Sequence, residues 1–276
     1  MNQDTKMIFL DLDGTLMDDA KHIPEYNMSA IQDALTQGHK VIICTGRPLC
    51  SAKKLFPVLN MEQEGCYAIT FNGGLIYDIF HQKILFKQTM PLEYVRYIFE
   101  KAEEHGMYMQ TYSEDAILCQ IDMKEGQDYS KRLKIEREIV PDVFEMLGEE
   151  EPCKTLAIAD GYNRKLLEDF REIFTDWAPG KVDIFFSCYE YLEFVPVGIS
   201  KGAAVRFLAE YLNISIENTI AVGDAENDIP MIEAAGLGVA MKNASDDIKQ
   251  YADYITEWDN NQGGVGEVIR KFMLQQ

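Results

Sequence analysis

The chain has 276 residues, 47% of them hydrophobic, which is enough apolar material to bury a core and makes disorder an unlikely fit to the composition. That length suits one large α/β unit or two domains. A formal net charge of −20 repels phosphate backbones and argues against a nucleic-acid partner; anionic small molecules are disfavoured too, unless a metal ion and local cations offset the field.

Met7–Leu10 is a short continuous apolar run, ending at Asp11 and followed by Gly14, the pattern of a buried parallel strand. Pro24 to Thr36 has helical spacing, with Met28, Ile31 and Leu35 on one face and Gly38 past its end. Lys40–Cys44 predicts a second buried strand, Pro48 to Leu59 a helix broken near Pro57, and Cys66–Thr70 a third strand. Strand, helix, strand, helix, strand predicts a doubly wound, mainly parallel, Rossmann-like α/β sheet.

The rhythm changes after Asn72-Gly73-Gly74. Leu75–Tyr77 and Ile84–Phe86 read as a hairpin, and Pro91 to His105 as an amphipathic helix stopped by Gly106. Met107–Tyr112 and Ala116–Ile121 read as strands, and the charged stretch to about Ile139 as helix. Strands over Thr155–Ala159, Val182–Ser187 and Tyr191–Val195 accompany a helix over Arg164–Phe174. This mixture predicts an α+β insert with an antiparallel sheet. From Ser200 the α/β rhythm returns: helix Lys201–Leu212, strand Thr219–Val222, helix Asn227–Ala235, strand Leu237–Ala240, then helices over Ser245–Tyr251 and Gly266–Met273. Residues 1–82 and 190–276 are therefore expected to form a core domain, with residues 83–189 inserted into it.

The six cysteines (Cys44, Cys50, Cys66, Cys119, Cys153 and Cys188) form no CxxC pair, and the four histidines have no zinc-like spacing. Reduced thiols and a cytoplasmic location are expected. Residues 1–15 lack the charged and apolar regions of a signal peptide, and no apolar run approaches the ~18 residues of a membrane span. No membrane association is expected.

Four short segments carry chemistry. In Asp11-Leu12-Asp13-Gly14-Thr15, two carboxylates one residue apart leave the end of the first strand, where open α/β sheets bind ligands. One carboxylate can attack phosphorus and form an acyl phosphate; the other can serve as general acid and base. Oxygen ligands of this kind suit Mg²⁺. The bland reading is a turn or helix cap in an acidic chain. Cys44-Thr45-Gly46-Arg47 ends the second strand, where the Thr45 hydroxyl and backbone N–H groups can bind a phosphate oxygen, or simply cap a helix. Lys201 opens a helix after Gly198-Ile199-Ser200; a cation at that end is locally unfavourable unless an anion joins it. Gly223-Asp224-Ala225-Glu226-Asn227-Asp228 follows a core strand. There Asp224 can ligate a metal, Asp228 can support it and the Asn227 amide can donate to phosphate, while the same residues can also cap the next helix.

The sequence resembles the haloacid dehalogenase-like hydrolases, specifically the Cof-type phosphatases with a large inserted cap. DLDGT matches the first motif of that family, ICTGR the second, SKG with Lys201 the third and GDAENDIPM the fourth, and the tail VAMKNAS…YADYIT…GGVGEVI follows the same pattern. Lys242 departs from it, standing where similar proteins often have Gly, which should alter a loop more than the chemistry. The resemblance implies Asp11 as nucleophile and Asp13 as general acid/base. It implies Mg²⁺ held by Asp11, the Asp13 main-chain carbonyl and Asp224, with Asp228 in support. It implies a phosphoryl group held by Thr45, Gly46, Lys201 and Asn227. It also implies a cap that closes over the core and selects a small phosphate ester. Arg47 and residues near Tyr189–Tyr191 are candidates to read the leaving alcohol, against a favoured reading as hinge packing. A phosphosugar mutase with the same nucleophile and a non-catalytic sugar-phosphate sensor are the alternatives, and the paired Asp11 and Asp13 argue against the sensor.

Overall fold

The computed structural model describes residues 5–274; residues 1–4 and 275–276, assigned above to the core domain, lie outside the described residues, as does the start of the segment read for a signal peptide. Five strands come first in the chain: β1 (Met7–Leu10), β2 (Lys40–Cys44), β3 (Cys66–Thr70), β4 (Leu75–Asp78) and β5 (Lys83–Lys87). Six follow in the middle: β6 (Tyr108–Tyr112), β7 (Ala116–Cys119), β8 (Glu136–Ile139), β9 (Thr155–Ile158), β10 (Val182–Cys188) and β11 (Tyr191–Pro196). The last three are β12 (Thr219–Gly223), β13 (Leu237–Ala240) and β14 (Tyr254–Ile255).

The first and last groups form one eight-stranded sheet, ordered β14-β13-β12-β1-β2-β3-β4-β5. Pairing is parallel from β14 through β3, and β4 runs antiparallel to β3. Strand order reverses between β1 and β12, so a crevice opens there at the carboxyl ends of both strands. Parallel strands are covered on both faces and read as unbroken apolar runs. Met7, Phe9, Ile42, Cys44 and Ile69 pack with Ala204, Val205 and Leu208 of the helix Lys201–Tyr211. Ile8, Leu10, Val41 and Ile43 point the other way by strand alternation and are also fully buried. Buried Asn27 joins two remote parts of this unit: its Nδ2 donates to the Leu16 carbonyl at 3.1 Å, and its Oδ1 accepts from the Gly266 N–H at 2.7 Å.

The middle strands form a second, six-stranded sheet, ordered β10-β11-β9-β6-β7-β8, mostly antiparallel with one parallel pair, β7–β8. Phe186 and Phe194 of its apolar face cluster with Phe170 of the helix Arg164–Glu172, with Phe174 just beyond that helix, and with Val95, Ile98 and Phe99 of the helix Leu92–Glu104. The chain divides into two compact units, one containing the segments through Gly46, Lys54–Phe86 and from Ser200 onward, the other Arg47–Lys53 and Lys87–Ile199. The boundaries differ from those expected. Lys83–Lys87 belongs to the first sheet. The core is expected to resume at residue 190, but Tyr191–Pro196 pairs with β10 across a tight turn and stays in the second sheet, with the strands grouped with it above, because a local antiparallel partner is reached before a distant one.

Two further differences are local. The helix expected from Pro48 to Leu59 ends at Lys53, short of Phe56, whose helical conformation is disfavoured by Pro57. The charged stretch to Ile139 is a helix only over Lys124–Leu133; Lys134 then takes a left-handed conformation (φ 55) and Glu136–Ile139 becomes a sheet edge. Edge strands often carry charge, which protects them from further pairing and hides their alternation.

Within the second unit, Lys154 Nζ and Glu193 Oε2 form an ion pair at 2.8 Å with side chains 1% and 3% exposed. Removing one partner leaves the other charge stranded in the interior, at a cost of about 3–5 kcal/mol. Lys154→Met is therefore expected to lower the unfolding free energy of this unit by that much, seen as a lower urea midpoint followed through Trp177 in a Trp258→Phe background. An unchanged midpoint would show that Glu193 is not held as a buried ion.

Candidate active site

Asp11 lies just beyond β1, and its N–H donates to the Val222 carbonyl of β12 at 3.1 Å, so the ladder continues one residue into the crevice. The turn after β12 brings in the other acids. Gly14, at φ +86, makes room for them: a Cβ there would lie 2.4 Å from Asp224 Oδ2. Thr15 Oγ1 donates to Asp224 Oδ1 at 2.6 Å. Asp228 accepts at Oδ2 from the N–H groups of Asp224 and Ala225, both at 3.0 Å, which fixes the turn that carries Asp224. Asn243 Nδ2 donates to the Gly14 carbonyl at 2.8 Å, so the loop containing Lys242 braces the turn after Asp11.

Lys201 joins the acids. Its Nζ donates to Asp11 Oδ1 at 2.5 Å and to Asp228 Oδ1 at 2.6 Å, with no exposed side-chain surface. Ser200 Oγ caps the same helix by accepting from the Ala203 N–H at 3.1 Å. The unfavourable position of a lysine at a helix start is thus compensated by two carboxylates.

Oxygen atoms of Asp11, Asp224 and Asp228 lie within 4.8 Å of one another, and of the three only Asp11 and Asp228 bond the Lys201 ammonium. Burial pushes the Asp11 carboxyl up to about 7; Lys201 pulls it down, while Asp228 and Asp13 push it further up. Burial, then the charges of Asp11 and Asp228, also holds Asp224 well above the ordinary carboxylate range. For Lys201, burial works against the charge, but Asp11 and Asp228 outweigh it and raise the ammonium above its usual value. The cluster has more negative charge than its lysine can balance.

That imbalance has a sign that can be measured in metal-free protein. Between its ordinary value of 3.8 and about 7, Asp11 keeps a proton in the fold that the unfolded chain releases. The resulting stabilisation is complete below the unfolded value and is lost as pH rises through about 7. With chelator present, Asp11→Asn is expected to melt several degrees above wild type at about pH 8, the gap narrowing towards about pH 5. Calorimetry across that range checks it; a gap independent of pH would mean that burial does not act on Asp11 in this way.

Three of the expected phosphoryl-binding residues, Thr45, Gly46 and Asn227, have Asn72 as a common neighbour. Thr45 and Gly46 follow β2, and the Asn72 N–H donates to the Thr45 carbonyl at 3.1 Å. Asn227 Nδ2 donates to Asn72 Oδ1 at 3.0 Å. Asp13 is turned differently from Asp11: its Oδ1 accepts from Lys21 Nζ at 2.9 Å, with side chains 35% and 40% exposed. Arg47 and Tyr189–Tyr191 fall in the other unit.

A family model for haloacid dehalogenase-like hydrolases matches residues 8–269. The chain belongs to that family. A Streptococcus pyogenes serotype M6 protein named as a phosphatase is 31% identical over 98% of both chains. The 5-amino-6-(5-phospho-D-ribitylamino)uracil phosphatase YcsE of Bacillus subtilis is 30% identical, covering 98% of this chain and 97% of its own. Among solved structures, a haloacid dehalogenase-like hydrolase from Bacteroides thetaiotaomicron superposes with a TM-score of 0.88 at 30% identity, over 97% of this chain and 99% of that one.

The protein is thus a haloacid dehalogenase-like hydrolase of the phosphatase kind, and among its described residues no helix is long and apolar enough to cross a membrane. Sequence reasoning passed over Thr15, Lys21, Asn72 and Asn243 in this dehalogenase-like site. Thr15 carried a signal, being part of the DLDGT motif itself. Asn72 looked like turn chemistry, and Lys21 and Asn243 are single polar residues in loops whose partners lie far off or depend on a turn.

Proposed function

We propose that this dehalogenase-like phosphatase hydrolyses monoesters of small phosphorylated metabolites through an aspartyl phosphate on Asp11, with magnesium bound. The observation that carries the reading is the shared Lys201 ammonium between Asp11 and Asp228, beside Asp224. It pulls the buried nucleophile towards its ionised form, but one ammonium leaves the crevice short of positive charge. The residues fit a hard divalent cation: the donors are all oxygen, they converge, and two of them are pushed towards the neutral form in its absence. Asp11, the Asp13 main-chain carbonyl and Asp224 would hold it, with Asp228 keeping the Asp224 turn in place. When bound, such an ion neutralises phosphoryl oxygens and makes the phosphorus more open to attack.

The chain's own residues perform the transfer in two displacements. An Asp11 carboxylate oxygen bonds to phosphorus as the bond to the leaving oxygen breaks, and Asp13 gives that oxygen a proton. Asp13 then takes a proton from water, whose oxygen attacks the same phosphorus. The bond to Asp11 breaks and inorganic phosphate leaves. Lys201, Asn227, Thr45 and the backbone at Gly46 hold the phosphoryl oxygens, supplying position and positive charge rather than bonds. Lys21, on the Asp13 carboxylate at 2.9 Å, keeps the acid/base in one orientation. We assign substrate selection to the inserted unit, and a cytoplasmic place of action to the chain.

The Bacillus subtilis relative is named for a phosphorylated ribitylamino-uracil, and the same class, a phosphate ester on a sugar or polyol chain, is the substrate we assign here. A panel of such esters, assayed for phosphate release with Mg²⁺ and with chelator, tests the reading. Release that is lost with chelator and restored by Mg²⁺ is the expected result. An isomeric phosphate ester in place of inorganic phosphate would make the protein a mutase, and turnover unaffected by chelator would remove the metal from the account.

A further inference from the structure

Asn72 is a buried polar residue of the crevice with no part in the transfer described above. It is 1% exposed. Its backbone is left-handed (φ 58, ψ 25), between Phe71 at φ 52 and Gly73 at φ 110. Left-handed conformations are unfavourable for residues with side chains, least so for asparagine, and persist where the surroundings enforce them. Here the enforcement is visible. A Cβ on Gly73 would lie 2.4 Å from the Ser200 carbonyl oxygen, so the turn is clamped against the residue that precedes Lys201.

The clamp sets the Asn72 amide in one place. Its Oδ1 accepts from Asn227 Nδ2 at 3.0 Å. A Cβ on Gly46 would lie 2.9 Å from Asn72 Oδ1 and 3.2 Å from Nδ2, so the amide rests directly against Gly46. Its Nδ2 is buried and has no hydrogen-bond partner. Two donor hydrogens are therefore held, unsatisfied, among Thr45, Gly46 and Asn227. Leaving a buried donor unpaired is costly, and such groups in folded proteins ask for a reason. A donor of this kind is met by an oxygen acceptor, and best by an anionic one.

We propose that Asn72 is a phosphoryl-binding residue: its Nδ2 donates to an oxygen of the transferring phosphoryl group, while its Oδ1 holds the Asn227 amide in position to donate to another. The inference rests on the phosphoryl site proposed above. The competing account is structural, in which Asn72 only forms the turn and orients Asn227.

Asn72→Asp and Asn72→Gly separate the two. Aspartate keeps the size, tolerates the left-handed backbone and retains an acceptor for Asn227, but replaces the donor by a negative oxygen. Glycine relieves the backbone and removes the amide. For each full-length variant, kcat and KM for p-nitrophenyl phosphate, competitive inhibition by inorganic phosphate and the melting temperature are measured with Mg²⁺ present. Asn72→Gly is expected to weaken phosphate inhibition about tenfold or more with little change in melting temperature. Asn72→Asp is expected to weaken it further, about a hundredfold, because like charges meet. If Asn72→Asp is inhibited as strongly as wild type, the donor role is wrong; if it does not fold, an Asn72→Gly variant with wild-type inhibition overturns the proposal equally. A wild-type protein that neither hydrolyses the ester nor is inhibited by phosphate would instead bring down the phosphatase site as a whole, Asn72 with it.

Discussion

Asp11→Asn is expected to lower kcat for aryl phosphate hydrolysis by at least about a thousandfold, with binding of inorganic phosphate retained. The reason lies in what the substitution spares. An amide has nearly the shape of the carboxylate and still offers an oxygen to Lys201, now 2.5 Å away. Asp224 and Asp228 keep their own partners, Thr15 and the turn N–H groups. Only the ability to form the acyl phosphate is lost. Where a nucleophile is removed from a group of residues that act as a unit, the loss approaches that of removing the whole group. Steady-state kinetics alongside phosphate inhibition checks this. A variant with more than about a tenth of wild-type activity would place the nucleophile elsewhere or show that water attacks directly.

Lys201→Met is the second large effect, and it acts on both chemistry and fold. The methionine fills much of the same fully buried space but leaves Asp11, Asp224 and Asp228 without a cation between them. Activity is expected to fall about a hundredfold to a thousandfold, the range for losing a preorganised charge at a transition state. In chelator the variant is also expected to melt well below wild type, since breaking a buried ion pair costs about 3–5 kcal/mol. Divalent cation should recover much of that stability, because it binds the folded acids and not the unfolded chain, without recovering the activity. Equal melting of the two proteins in chelator would contradict the shared-ammonium description.

The same residues explain why some of this was legible before any coordinates. Asp11, Lys201, Asp224 and Asp228 each stand at the end of a core strand or the start of a core helix, so their motifs carry local secondary-structure signals that place them together. The parallel strands were legible for a related reason: buried on both faces, they are continuous apolar runs such as MIFL and KVIIC. What stayed hidden depends on long-range partners. Glu136–Ile139 is a charged edge whose strand character comes from its pairing with Ala116–Cys119. Tyr191–Pro196 reads as a strand, but that the second unit runs past residue 190 to include it is fixed only by its pairing with β10 and β9. Asn72 reads as a turn asparagine, and only the positions of Gly46 and Asn227 show its amide to be in the crevice.

The stereochemical course at phosphorus tests the central claim most directly. A phosphate monoester made chiral with oxygen isotopes, hydrolysed in isotopically distinct water, reports how many in-line displacements occur. Two displacements, one by Asp11 and one by water, predict overall retention of configuration. Inversion would mean a single direct attack by water and would contradict the aspartyl phosphate.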